Sequence, residues 1–191
     1  MERLKFELNS GDIKALSFDE IKAVLRAANE IIATGGRNML AKILKGSRDK
    51  KLLEHDLDCC PTYGYYRSLT LEEITNRIDW MIKKSFLEIQ YSDRFPMIVF
   101  SEKGWEIERE IYAEELLERL IKLLDGKDYS FVAELKDKNQ GMILLLIEKI
   151  RLTGNARFIP LLKVWKEIEN KKIQAEIQRI IDYLMKEGTV F

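Results

Sequence analysis

The chain has 191 residues, of which 46% are hydrophobic and 34% charged, so it can bury a sizeable core and is long enough for one or two domains. Only 10 glycines and 3 prolines are present, which excludes collagen-like, low-complexity and largely disordered classes. Lys plus Arg and Asp plus Glu both total 32, so the net charge indicates no partner and only the positions of the charges can.

The residue types that usually carry chemistry are scarce. Cys59 and Cys60 are adjacent, which disfavours a disulfide between them, and with His55, the single histidine, they cannot supply the four ligands of a structural zinc site. The sequence contains no GxxxxGK[ST] phosphate loop and no HExxH or GxSxG motif. No apolar run approaches the ~18 residues that a membrane helix needs. We therefore expect no catalytic residue, metal or cofactor, no membrane association, and a reducing intracellular location.

The first 36 residues predict a strand and a helix. Residues 3–8 alternate between apolar and charged side chains, as in a half-buried strand. Ser17 and Glu20 form the capping-box pattern that begins a helix, and Gly35-Gly36 ends it. The apolar residues of this helix recur with a helical period: Ile21, Val24, Leu25, Ala28, Ile31 and Ile32.

Three further helices are predicted before the period changes. The apolar residues of the segment 37–45 have helical spacing, and Gly46 ends that helix. We expect Ser47 to begin a third, short helix. A second capping box, Thr70 with Glu73, begins a longer one. The residues expected on the inner side of this longer helix are Leu71, Ile74, Ile78, Met81, Ile82 and Ser85.

Beyond this helix the apolar period becomes 2. Residues 86–91 and 97–101 predict two strands joined by a five-residue loop, 92–96. Helices followed by a β-hairpin are the element order of a winged helix-turn-helix. We therefore expect a mainly α fold in which residues 1–104 form an α+β winged-helix domain with one β-hairpin wing.

The rest of the chain predicts helices only. Residues 105–126 predict a long connecting helix. A weak repeat of 31 residues then relates Asn139 to Asn170, Met142 to Ile173, Leu146 to Ile177 and Ile150 to Ile181. Because a repeated helix pair is typical of α-solenoids, we expect residues 105–191 to form an all-α HEAT-like helical domain. A plain helical bundle is the alternative.

The charges are unevenly placed along the chain. Between residues 37 and 51, six basic residues accompany one acidic residue, a net charge of +5, whereas residues 102–119 hold seven acidic and three basic residues, a net charge of −4. A basic cluster is typical of proteins that bind phosphates, although a charge run is also often a solvated helix face. At Gly46-Ser47 we expect helix amides and a hydroxyl to form an anion seat, flanked by Lys45 and Lys51.

A series of motifs runs through this region: Gly36-Arg37-x-x-Leu40-x-x-x-Leu44-x-Gly46-Ser47-x-x-Lys50, then Tyr63-Gly64, a capped helix, Phe86-Leu87, and Ser101-x-Lys103-Gly104. In these motifs the chain resembles the RQC domain of RecQ-family DNA helicases, in particular small stand-alone proteins of the RQC-minor type. The resemblance implies a DNA-binding winged helix whose wing carries an aromatic residue at a duplex end. The ATPase motifs and the four-cysteine zinc module of the full enzymes are missing, so we expect no helicase activity.

The resemblance also implies which residues contact DNA. Basic and hydroxyl side chains around the Gly-Ser element would hold backbone phosphates, and Phe95 at the wing would stack on a terminal base pair. The DNA-binding residues predicted are Arg37, Lys45, Ser47, Arg48, Lys51, Lys83, Arg94 and Phe95. For Phe95 the alternative is packing against the protein itself.

These observations predict a non-enzymatic protein that binds duplex, forked or junction DNA in a bacterial cytoplasm, associated with the nucleoid. Phosphate contacts would dominate, with limited reading of base sequence. The alternative is an adaptor whose winged helix or C-terminal helices bind an acidic protein partner.

Overall fold

The computed structural model describes residues 7–126, 129–136 and 138–187. Over these residues the fold is mainly α with one β-hairpin, as predicted. The helices are α1 (Phe18–Asn29), α2 (Arg37–Lys45), α3 (Lys50–Glu54), α4 (Leu71–Lys83), α5 (Glu102–Leu124), α6 (Gln140–Leu152), α7 (Ile159–Ile168) and α8 (Lys171–Glu187), and the strands are β1 (Leu87–Ser92) and β2 (Phe95–Phe100). The chain divides into two compact units, Met1–Glu108 and Arg109–Phe191, here the first and the second unit.

Both capping boxes are confirmed. The Ser17 hydroxyl accepts a hydrogen bond from the Glu20 amide at 3.2 Å, and the Glu20 carboxylate accepts one from the Ser17 amide at 2.9 Å. Thr70 and Glu73 make the same reciprocal pair at the start of α4. These bonds satisfy amides that the first turn of a helix would otherwise leave unpaired, so α1 and α4 begin where the sequence predicts.

The first unit is a winged helix in which α2 packs against α1 and α4. Two backbone hydrogen bonds, from Ala33 N to Ile98 O and from Ile98 N to Gly35 O, join the turn between α1 and α2 to β2. The core lies between these helices and the hairpin. Its fully buried side chains include Val24, Leu25, Leu40, Ile43, Leu44, Ile74, Ile78, Met81, Leu87 and Ile98.

Some predicted details differ from the structure. Of the predicted first strand, residues 1–6 lie outside the described residues, and Leu8 lies in irregular backbone. Leu71 is 47% exposed, because the whole first turn of α4 is exposed. Ser85 is also exposed, since α4 ends at Lys83 and Ser85 has a φ of 55°, so it no longer follows the helical period.

The hairpin loop is shorter than predicted. β1 and β2 are antiparallel, and the register pairs Ser92 with Phe95 and Tyr91 with Pro96, which leaves a two-residue loop, Asp93-Arg94. The tight turn is possible because Asp93 adopts a left-handed conformation with φ 53°, which Asp tolerates better than most residues. Phe95 and Pro96 therefore belong to β2 and not to the loop.

The second unit consists of helices, and the 31-residue offset is visible at the starts of two of them. The Asn139 side chain accepts hydrogen bonds from the amides of Gly141 and Met142, and Asn170 accepts the equivalent pair from Lys172 and Ile173. Residues at the related positions in α6 and α8 are buried, and α7 contributes the fully buried Trp165. The HEAT-like assignment itself stays a prediction. Among the described residues no helix is both long and apolar enough to cross a membrane.

Candidate nucleic-acid interface

Gly46 ends α2 and does not open a new helix. It has φ 74° and ψ 43°, its amide donates to Ile43 O at 2.9 Å, and the Ser47 amide donates to Lys42 O at 3.0 Å. This pair of bonds is the Schellman motif that closes the carboxyl end of a helix at a left-handed glycine. The prediction that Ser47 begins the third helix is therefore wrong.

The third helix begins after Asp49. The Asp49 carboxylate accepts a hydrogen bond from the Lys51 amide at 3.0 Å and one from Lys42 Nζ at 2.6 Å. The bond from Lys42, followed by the one from the Lys51 backbone, holds the pKa of Asp49 below its usual value. Asp49 thus caps α3, whereas the Ser47 amide is still bonded to Lys42 O at the end of α2, so α3 starts later than predicted.

A distant loop covers the end of α2. Gly64 N donates to Ile43 O at 2.9 Å and Tyr66 N donates to Leu44 O at 2.8 Å. A Cβ at Gly46 would lie 3.0 Å from the Cα of Gly64, so the two glycines touch. The predicted anion seat at Gly46-Ser47 is wrong in its basis: this is the carbonyl end of a helix dipole, where negative charge is disfavoured.

Lys45 supports this closed arrangement. Its Nζ donates to the carbonyl oxygens of Arg67 at 2.8 Å and Leu69 at 2.6 Å. Two of the three ammonium donors are thus used on the backbone of the covering loop. The geometry favours a role for Lys45 in holding the loop.

We expect Lys45→Met to lower the free energy of unfolding by about 1 kcal/mol, because two carbonyls lose a charged donor while the aliphatic stem is kept. Urea denaturation followed by circular dichroism measures the change. The matched control is Lys50→Met, since the Lys50 side chain is 89% exposed and its ion pair, 3.4 Å from Glu54, is a surface one. Equal stability of the two variants would show that the Lys45 bonds contribute nothing.

Other members of the basic run are paired with acids. The Arg37 guanidinium donates to the carboxylate of Asp79, a buried residue that also accepts a hydrogen bond from the Asn9 amide at 2.8 Å. Lys42 pairs with Asp49. The net charge of +5 counted for residues 37–51 therefore overstates the positive charge that is available to a ligand.

Two cations of the basic run, Arg48 and Lys51, form no ion pair within the part of the chain that the structure describes. Arg48 and Lys51 are exposed, and neither side chain forms an ion pair or donates a hydrogen bond to any residue that the structure describes. Arg67 joins them from the covering loop: it is exposed, and its guanidinium lies 3.0 Å from the Cβ position of Gly64 and 3.5 Å from that of Gly46. Arg48, Lys51 and Arg67 are here called the Gly46 patch.

Sequence reasoning missed Arg67 because it lies outside the basic run. The available signal was the Tyr63-Gly64 turn, three residues before it, which belongs to the same set of motifs as Gly46. Because neither Gly46 nor Gly64 has a side chain, there is room for the Arg67 guanidinium beside them. The three cations thus come from the two segments that meet at the contact between Gly46 and Gly64.

The predicted wing residues lie at the end of the hairpin. Phe95 is 50% exposed and begins β2. The Arg94 guanidinium carbon is 5.1 Å from the centre of the Phe95 ring, a cation–π distance. An exposed aromatic ring with an adjacent cation is a surface on which a base and its phosphate can be held together.

The remaining predicted contacts are spread along the first unit. A Cβ at Gly36 would lie 2.9 Å from Pro96 O, so the start of α2 adjoins the wing. The Gly46 patch lies at the other end of α2. A nine-residue helix is about 13.5 Å long, close to the rise of four base pairs. Lys83 lies at the end of α4, with Nζ 3.3 Å from the Ser10 hydroxyl.

Comparison with known proteins identifies relatives of this winged helix. Residues 17–123 match the family model of the RQC domain, which is more than half of the chain. The ATP-dependent DNA helicase RecQ of Bacillus subtilis (strain 168) is 33% identical over 69 residues, which cover 36% of this chain and 12% of that protein. No solved structure matches the chain significantly. Within the described residues no group of three or more His, Cys, Asp or Glu could hold a metal ion.

Proposed function

The chain belongs to the RQC domain family, and from this membership we propose that its winged helix binds DNA without catalytic activity of its own. The observation that carries the proposal is the Gly46 patch, three exposed cations whose side chains form no ion pair with the described residues. When exposed Lys and Arg side chains neutralise phosphates, the cations condensed on the DNA are released, and this release drives affinity. The sequence offers no phosphate loop for ATP, so DNA would be bound and not translocated.

Both the Gly46 patch and the wing would contact DNA. Arg48, Lys51 and Arg67 would contact backbone phosphates of a duplex, which gives affinity without reading base sequence. Phe95 would stack on an exposed terminal base pair, with Arg94 on the neighbouring phosphate. We therefore expect the protein to prefer DNA that contains both a duplex and an end or junction.

Fluorescence anisotropy with labelled single-stranded, duplex, forked and four-way DNA, each at two salt concentrations, tests the proposal. We expect duplex-containing DNA to bind more tightly than single strands of equal length, and every affinity to fall steeply with salt. Undetectable binding to all four DNAs in low salt would contradict the proposal.

Phe95→Ala is expected to weaken binding to forked or blunt-ended DNA about fivefold or more, because one base-stacking contact is worth at least about 1 kcal/mol. Binding to a closed circular duplex, which has no ends, should change less than twofold. Competition titrations with the two DNAs measure both effects on one protein sample. Equal losses on open and closed DNA would remove the stacking role of Phe95.

A protein-docking function is the second candidate. It is favoured by a cleft of about 370 Å³ between α6 and α8 in the second unit, lined by apolar and charged residues: Leu144, Ile147, Glu148, Lys172, Glu176, Arg179 and Ile180. Affinity capture from nuclease-treated lysate separates the two functions, since an adaptor would retain a defined protein partner after all nucleic acid is removed.

A further inference from the structure

One face of the wing contains a cleft next to Phe95. In an antiparallel pair, directly opposed residues point to the same face, so the pairs Ser92–Phe95 and Gln90–Met97 share one face of the hairpin. On this hairpin there is a cleft of about 260 Å³, lined by Ala33, Gln90, Tyr91, Ser92 and Met97. Phe95 itself does not line the cleft, but its cross-strand partner Ser92 does, so the residue that the proposed function places at a duplex end is a direct neighbour of the lining.

The lining is polar and apolar but uncharged. The side chains of Gln90 and Ser92 form no hydrogen bond with any described residue, so an amide donor, an amide acceptor and a hydroxyl are available to a ligand. Met97 supplies a polarizable thioether, which makes favourable contacts with aromatic rings. A phosphate would need a cation that the lining does not contain, whereas a flat ring with polar edges matches it.

Ala33 closes the cleft in a conformation that alanine rarely adopts. Its φ is 57°, and its amide donates to Ile98 O at 2.9 Å, which fixes the residue against β2. A non-glycine residue in the left-handed region costs about 1 kcal/mol or more, so the surrounding contacts must hold it there. The strained turn gives the cleft a rigid wall on the side away from β1.

We propose that this cleft binds a single unpaired nucleobase, the one that follows the terminal base pair on which Phe95 stacks. The inference rests on the proposed function, since it requires DNA at the wing. The Gln90 amide would bind the polar edge of the base, as Gln and Asn side chains do in direct readout, and Met97 would contact its face. The protein would thereby prefer duplexes with a one-nucleotide overhang over blunt duplexes.

The test uses the full chain and five DNAs of equal duplex length: one blunt, two with a one-nucleotide overhang at the 3′ or the 5′ end, and two with the same overhang lacking its base. We expect at least one natural overhang to bind about fivefold to tenfold more tightly than its abasic counterpart, because the base contact is lost while the phosphate is kept. Gln90→Ala and Met97→Ala should each reduce that difference to less than about twofold. Glu88→Ala, on the same face but outside the cleft lining, is the control and should keep it.

The possible failures are distinguishable. Equal binding of natural and abasic overhangs at both ends, with blunt duplex still bound, would overturn the base site and leave the proposed function standing. A preference for the natural overhang that survives both Gln90→Ala and Met97→Ala would also overturn the site. Loss of binding to every DNA, blunt duplex included, would overturn the proposed function and the base site with it.

Discussion

Gly104→Ala is expected to unfold the first unit or to lower its free energy of unfolding by about 3 kcal/mol or more. A Cβ at Gly104 would lie 1.9 Å from the carbonyl oxygen of Phe86 and 2.9 Å from its carbonyl carbon. Both are backbone atoms, so no side-chain rotation relieves the clash. The first turn of α5 and the residue before β1 would have to separate.

The surrounding hydrogen bonds prevent that separation. The Ser101 hydroxyl donates to Ser85 O at 2.6 Å and accepts from the Gly104 amide at 3.0 Å, while Ser101 N donates to Phe86 O at 3.3 Å. Moving α5 away would break this group of bonds at a site where Ser101 is buried. Loss of buried hydrogen bonds would add to the steric cost.

Thermal and urea denaturation followed by circular dichroism measure the effect. Gly126→Ala is the matched control, because the nearest atom to its Cβ position is 3.9 Å away and the residue is exposed. We expect the control to change stability by less than about 0.5 kcal/mol. A Gly104→Ala protein as stable as the control would show that α5 does not pack this closely against Phe86.

The double variant Arg48→Glu with Lys51→Glu is expected to weaken binding to duplex DNA about 30-fold near physiological salt, because two phosphate contacts become repulsive. Both residues are exposed and form no ion pair with the described residues, so the thermal midpoint should be unchanged. Lys122→Glu with Lys163→Glu is the control, since it makes the same change in net charge at exposed lysines of the second unit. Equal losses in the two double variants would mean that only overall charge matters.

A charge reversal at Lys45 would not test phosphate binding in the same way as the double variant Arg48→Glu with Lys51→Glu. The sequence places it among the phosphate contacts, but its ammonium donates to the carbonyls of Arg67 and Leu69. A charge reversal there would disturb the loop that also positions Arg67, so a loss of DNA affinity would not separate contact from structure.

Local signals explain what the sequence predicts well. In a capping box both partners lie within four residues, so the pattern Ser17 to Glu20 contains all the information that the first turn of α1 uses. The end of α2 at Gly46 is predicted for the same reason, since a glycine after the last apolar residue is the usual helix stop. The change of period after α4 likewise predicts the hairpin.

The errors come from contacts that are distant in sequence. The sequence predicts an anion site at Gly46 because nothing nearby in the sequence shows that the amides of Gly64 and Tyr66 donate to the carbonyls at the end of α2. Arg67 was missed because its place depends on that contact. The predicted wing loop, residues 92–96, is too long, because the register pairs Ser92 with Phe95 and Tyr91 with Pro96 across the hairpin.

The salt dependence of duplex binding tests the central claim most directly. Anisotropy titrations at four or more salt concentrations give the slope of log affinity against log salt for the wild-type chain, for Arg48→Glu with Lys51→Glu, and for the Lys122→Glu with Lys163→Glu control. Each phosphate contact contributes about −0.9 to this slope, so we predict that the first double variant has a slope about 2 units shallower than the wild type and that the control keeps the wild-type slope. A wild-type slope near zero, or a slope that Arg48→Glu with Lys51→Glu leaves unchanged, would contradict the claim that the Gly46 patch binds DNA phosphates.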